Sequence, residues 1–164
     1  MEILTHKQIK QKIKRLAIEI LEHNYDQKEI FLMGINNNGF RFAGLIRKEM
    51  KGLDDLDIHL INVRLNAAKP LDEKITLSID AEKLSDKIII LVDDVANSGR
   101  TLYYATKPLL NIIPRRLQAA VLVDRMHKLF PIHVDYVGMS LATTLKQNIE
   151  VDLEDGRAFS VRLN

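Results

Sequence analysis

Apolar positions recur along this chain with two distinct periods. In THKQIKQKIKRLAIEILEHN (residues 5–24), Ile9, Ile13, Leu16, Ile20 and Leu21 fall at the spacing of one helical face. Thr5 and Gln8 form a capping-box pair that predicts where this helix starts. EIFLMGI (29–35) is a short apolar run and predicts a buried strand. NNNG (36–39) reads as a turn, and FRFAGLIRKEM as a second helix closed by Gly52. DIHLINVRL (57–65) predicts another strand, whereas residues 66–87 lack clear periodicity and read as a long loop or a short hairpin. IIILV (88–92) predicts a third strand, followed by a helix that Pro108 kinks or ends. LQAAVLVD (117–124) and VDYVGM (134–139) predict two more strands, and NIEVDL, EDG and AFSVRL a closing hairpin. Strands alternating with helices imply an α/β fold: a mainly parallel twisted sheet with helices on both faces and a C-terminal hairpin. With 164 residues and neither repeat nor linker, residues 1–164 are expected to form one domain.

Composition narrows the function classes. A net charge of +2 supplies no long-range field that would mark a nucleic-acid or membrane partner. Cysteine is absent, which excludes disulfides and thiolate metal sites and fits a reducing cytoplasm. The five histidines (His6, His23, His59, His127, His133) make no pair at metal-ligand spacing. No apolar run approaches membrane length and MEILTHKQIKQ lacks a signal-peptide core, so a cytoplasmic protein without membrane contact is expected.

The chemistry concentrates in IIILVDDVANSGRT (88–101). A buried strand ends in two adjacent carboxylates, an arrangement that desolvation and repulsion both oppose unless an outside partner binds there. The loop that follows is built of small residues. Gly99 frees its backbone, Ser98 and Thr101 offer hydroxyls, and a helix opening there presents unpaired amides to an anion. Carboxylates would repel a phosphate but suit sugar hydroxyls or a magnesium ion. A phosphate cradle beside hydroxyl acceptors points to a phosphoribosyl group.

ILVDDVANSGRT resembles the phosphoribosyl pyrophosphate signature of the type I phosphoribosyltransferases. The likeness spans nearly the whole chain and is greatest to the branch of bifunctional pyrimidine-operon attenuators and uracil phosphoribosyltransferases. QIKQKIKRLAIEILEHN resembles the first helix of that branch, IFLMGINNNGFRFAGLI its pyrophosphate loop and next helix, and AAVLVDRMHKLFPIHVDYVGMSLATT its base-binding segment. The resemblance implies that a ring nitrogen displaces pyrophosphate from the ribose C1, through an oxocarbenium-like transition state and with magnesium as cofactor. On that pattern Asp93 and Asp94 accept from the ribose hydroxyls, directly or through magnesium. Ala96, Asn97, Ser98, Gly99, Arg100 and Thr101 grip the 5′-phosphate, Val95 counts among the substrate-binding residues beside them, and Asn36, Asn37, Asn38 and Gly39 hold pyrophosphate. Asp124 and Arg125 fall in the base-binding segment, where Tyr136 would stack on the base and Val137 would read its edge. Purine-type members carry a lysine where this chain has Asp124 and an acid where it has Asn97, so a pyrimidine such as uracil, or UMP as product, is expected.

Three departures bear on turnover. NNNG is uncharged where the resembling branch carries Lys and Arg, leaving Arg41 as a substitute cation. Ala67 stands at the position of an arginine. The loop that follows is short and offers only Lys69, Lys74 and Lys83 as cations. Losing charge that stabilises a departing dianion costs several kcal/mol, on the order of one oxyanion donor or more. Three functions therefore remain: the transferase itself, an RNA-binding regulator sensing pyrimidine nucleotides through a patch at His127, Lys128 and His133, or a nucleotide binder without turnover. Relatives of this kind form homo-oligomers, and LFPI (129–132) could contribute to such an interface.

Overall fold

The computed structural model describes residues 1–144 and 146–164. Its centre is a six-stranded sheet built from β2 (Glu29–Ile35), β3 (Asp57–Arg64), β4 (Thr76–Leu77), β5 (Ile88–Ala96), β6 (Arg116–Arg125) and β7 (Tyr136–Leu141) in the order β4-β3-β2-β5-β6-β7. All neighbours run parallel except β3 and β4. A second, antiparallel sheet joins β1 (Glu2–Leu4) to a hairpin of β8 (Ile149–Asp152) and β9 (Ser160–Leu163).

The two-residue period of the strands divides the core. Ile30 and Leu32 of β2, with Ile90 and Val92 of β5, face α1 (His6–His23), α2 (Asn36–Lys51) and the small sheet. Phe31, Met33 and Ile35, with Ile89 and Leu91, face α3 (Arg100–Ala105) and the 3-10 turns at Ala81–Leu84 and Lys107–Leu109. Continuous apolar runs are what a sheet covered on both faces requires. The predicted helices thus lie on both faces, and the predicted hairpin is β8–β9. The Thr5 cap forms as read, with its hydroxyl accepting from the Gln8 amide and its own amide donating to the Gln8 carboxamide.

The structure corrects the reading at the β2–α2 junction, adds a strand at Glu2–Leu4, and settles two stretches left open. NNNG is no free turn: α2 starts at Asn36, which takes φ +50° to swing the chain out of β2, a left-handed conformation asparagine tolerates better than most residues. The helix after the acidic pair ends before Pro108, as read, after only six residues, and the proline sits in a 3-10 turn. Of the two readings of 66–87, the short hairpin holds: the two-residue β4 pairs antiparallel with β3, and a 3-10 turn follows. β1 was not foreseen because three residues are too few to show a period; it is held by pairing with β9.

Candidate active site

Parallel strands β2, β5 and β6 all end at one edge, where the strand order places the start of α2, the DD pair and the loop into α3 side by side. Brought together there is a cavity of about 330 Å³ lined by Asp93, residues 95–102, Ala67 and Ala68. Residues 96–101, expected to form the cradle, all line it. Gly99 takes φ +84° at the cap of α3, and a Cβ there would also crowd Lys128 Cδ at 3.3 Å. A side chain at this position would therefore be strained as well as crowded.

Asp93 is buried and its Oδ1 accepts from the Asp94 amide at 2.9 Å. Burial pushes its carboxyl well above the ordinary carboxylate range, and the negative charge of Asp94 pushes it the same way. The Asp94 carboxylate accepts from the Val95 amide and, through Oδ2, from Asn38 Nδ2, both at 2.9 Å. The acidic pair is thus held by amides and a carboxamide, with no cation beside it among the described residues. Its unrelieved charge fits a metal ion or a set of hydroxyl donors.

The asparagine triplet is a bracket. Asn36 ties to Leu65 in both directions at 3.0 Å, Asn37 accepts from Arg64 Nη2 at 3.1 Å, and Asn38 reaches Asp94. Gly39 lets α2 approach β5: a Cβ there would lie 2.4 Å from the Val92 carbonyl oxygen and 3.3 Å from Asp93 Oδ1. Sequence reading missed Arg64, whose guanidinium reaches the triplet. It also missed Ala67 and Ala68 as wall residues, drawn to the cavity because Arg100 Nη2 donates to the Ala67 carbonyl at 2.9 Å. An arginine ending a strand beside the asparagine turn was the available signal for Arg64.

Other expected residues sit elsewhere. Arg41 faces the β8–β9 turn, its Nη1 3.9 Å from Glu154 Oε1, and does not line the cavity. Tyr136 is sealed in the core, its ring edge-on to His23 and its hydroxyl donating to Gln118 Oε1 at 3.0 Å. The Val137 carbonyl is taken by Arg15 of α1 at 3.1 Å. Tyr136 starts β7, opposite Ala120, four positions before the register partner of Asp124. Through β6, Tyr136 and Val137 are level with Val92 and Asp93, but the Tyr136 ring is buried on the α1 side and the expected stack on it has no opening. Asp124 holds the ammonium of Lys128, which also donates to the Asn97 and Arg125 carbonyls at 3.3 and 2.9 Å. Lys128 is therefore turned inward, while His133 is exposed beside Asp135 at 3.8 Å and His127 Nε2 lies 2.6 Å from the Thr143 carbonyl. Arg125 is buried against Asn97, Thr143 and Thr144. In LFPI, Leu129 is exposed but Phe130 packs on Tyr103 and Tyr104.

Comparison with known proteins adds an independent line. The family model for the phosphoribosyl transferase domain matches residues 1–155. The Bifunctional protein pyrR of Enterococcus faecalis is 32% identical over 160 residues, covering 94% of this chain and 90% of the relative. Its counterpart in Streptococcus agalactiae is 34% identical, covering 93% and 89%. Among solved structures, a hypoxanthine-guanine phosphoribosyltransferase of Bacillus anthracis superposes with TM-score 0.77 at 19% identity, covering 99% of this chain and 96% of that one. The hypoxanthine phosphoribosyltransferase of Trypanosoma cruzi gives 0.76 at 17%, covering 98% and 95%. These structures bear on the fold, and the family match and the relatives bear on descent. Together with the acidic pair at the end of β5 and the glycine-opened loop behind it, they make this chain a member of the type I phosphoribosyltransferase family.

Proposed function

We propose that the chain transfers the phosphoribosyl group of phosphoribosyl pyrophosphate to a pyrimidine base such as uracil, releasing pyrophosphate. The observation that carries this reading is the 330 Å³ cavity joining a buried carboxylate to a loop of small residues. The amides and hydroxyls of residues 96–101 hold the 5′-phosphate at the start of α3. Asp93 and Asp94 accept from the ribose hydroxyls and set negative charge where the ring turns cationic; groups fixed in place before the reaction lower the barrier by about 3–4 kcal/mol per contact of this kind. Magnesium, held by Asp93 and Asp94 directly or through water, would supply charge neutralisation for the leaving pyrophosphate. Arg64, oriented by Asn37, is the cation nearest in hydrogen-bond terms to the start of α2. The pyrimidine assignment rests on Asp124 and Asn97, which replace the groups expected of purine-type members, and on the pyrR relatives.

A second reading, nucleotide binding without turnover, is favoured by one observation. The start of α2 carries no charge of its own, and Arg41 points toward Glu154 and away from the cavity wall. RNA recognition draws less support, because Lys128 is engaged by Asp124.

The deciding experiment is release of pyrophosphate from phosphoribosyl pyrophosphate and magnesium with uracil and the other common bases. Uracil-dependent release that falls at least about 100-fold in Asp94→Asn supports the transferase. Absence of release with every base, while UMP still binds by calorimetry, establishes the second reading instead.

A further inference from the structure

A second cavity, of about 440 Å³, lies across Asn97 and Ser98 from the cradle and is otherwise walled by residues 125–129. At its wall is Arg125, whose side chain is buried to 9% exposure. Guanidinium stays ionised at any physiological pH, so its charge is taken out of water intact. Each of its partners is neutral: Nε donates to the Thr143 hydroxyl at 2.7 Å, Nη1 to Asn97 Oδ1 at 3.1 Å and Nη2 to the Thr144 carbonyl at 2.9 Å. No carboxylate pairs with it among the described residues. Lys128, the other cation of this wall, is matched by Asp124 and leaves the balance unchanged.

Burying a charge costs several kcal/mol unless an opposite charge is supplied, and neutral acceptors repay only part of that. The surplus is one positive charge facing a cavity. Donor counting gives the same answer. A guanidinium carries five N–H groups, and the three hydrogen bonds leave two for a ligand. Two N–H groups in a fixed plane match an oxyanion. The hydroxyl of Ser98 and the ring of His127 stand in the same wall.

We propose that this second cavity is an anion site, distinct from the cradle, in which Arg125 binds a phosphoryl group. The two sites share only the backbone and side chains of Asn97 and Ser98. Thr101 lines the cradle alone, whereas Met126, 69% exposed, lines the second cavity alone.

This separation makes the test direct. Inorganic phosphate is titrated calorimetrically into the full chain and into Thr101→Val, Arg125→Gln and Met126→Glu. Met126→Glu places a carboxylate at the mouth without touching the core, so it answers the question even if Arg125→Gln does not fold. The wild type is expected to bind phosphate at the second cavity with an affinity that falls at least 10-fold in Met126→Glu and in folded Arg125→Gln and is unchanged in Thr101→Val. If the cradle also takes phosphate, a second equivalent appears that is sensitive to Thr101→Val. If the transferase reading fails, the equivalent sensitive to Met126→Glu remains alone. Binding that responds to Thr101→Val but not to Met126→Glu, or no binding at all, overturns the proposal.

Discussion

At the scale of one residue, Asp93, to which the proposed function gives the ribose hydroxyls, is kept at the expense of the fold. Its carboxyl is harder to ionise in the native state than in the unfolded chain, first because it is buried and then because Asp94 stands beside it. An acid of this kind holds its proton longer when folded. Between the ordinary carboxylate range and the raised native value, stability therefore falls as pH rises, and above that value the loss is complete. Asp93→Asn removes the charge and keeps the shape. The variant is expected to melt higher than the wild type at neutral pH, by about 2–4 °C for each kcal/mol recovered, and the gap should close on acidification. Parallel thermal melts across that interval check it; a variant that melts lower at neutral pH contradicts the account. The same substitution should abolish transfer. Stability gained where activity is lost is the behaviour of a site strained for its ligand.

At the scale of elements, the junction of β2 and α2 is where sequence reading and structure part. The strands, both long helices and the closing hairpin were legible because each carries its own period or cap: an uncharged run of six residues, Ile30 to Ile35, for β2, and a stripe and a capping box for α1. The acidic pair was legible because two charges at the end of an apolar run have no structural excuse. NNNG was misread since its helical start depends on groups distant in sequence, the Leu65 backbone, Arg64 and Asp94. Tyr136 was misplaced for the complementary reason. An aromatic in a strand packs on either face, and only the register against β6 shows that this one meets α1. Two substitutions test the junction. Asn36→Ala loses both hydrogen bonds to Leu65 and leaves alanine at φ +50°, so it should cost about 2–4 kcal/mol in urea unfolding. Gly39→Ala forces a methyl to within 2.4 Å of the Val92 carbonyl oxygen and should separate α2 from β5, costing about 1–3 kcal/mol and disturbing Asp93 with it. Unfolding midpoints matching the wild type would show that α2 can shift without loss.

At the scale of the molecule, the proposed function divides between two elements, with the groups assigned to the sugar phosphate on one and those assigned to the leaving group on the other. The cradle and the acidic pair belong to β5 and its loop into α3, wedged between both halves of the core. The side assigned to pyrophosphate is the start of α2, which Arg64 at the end of β3 reaches through Asn37. On the proposed reading, ground-state grip on a ribose phosphate draws on the triplet only through the Asn38 bond to Asp94, whereas stabilising departing pyrophosphate depends on the triplet and Arg64 directly. A ligand present at 100 times its dissociation constant stabilises the folded state by about 2.7 kcal/mol, roughly 5–10 °C for a chain of this size. Ribose 5-phosphate and UMP are expected to give shifts of this order without magnesium, and phosphoribosyl pyrophosphate with magnesium to add only a modest further rise. Arg64→Met should erase that further rise and lower turnover about 10- to 100-fold, leaving the ribose 5-phosphate shift intact. Equal losses with all three ligands would mean that Arg64 supports the fold of this edge rather than the leaving group, and the division of labour between β5 and α2 would have to be abandoned.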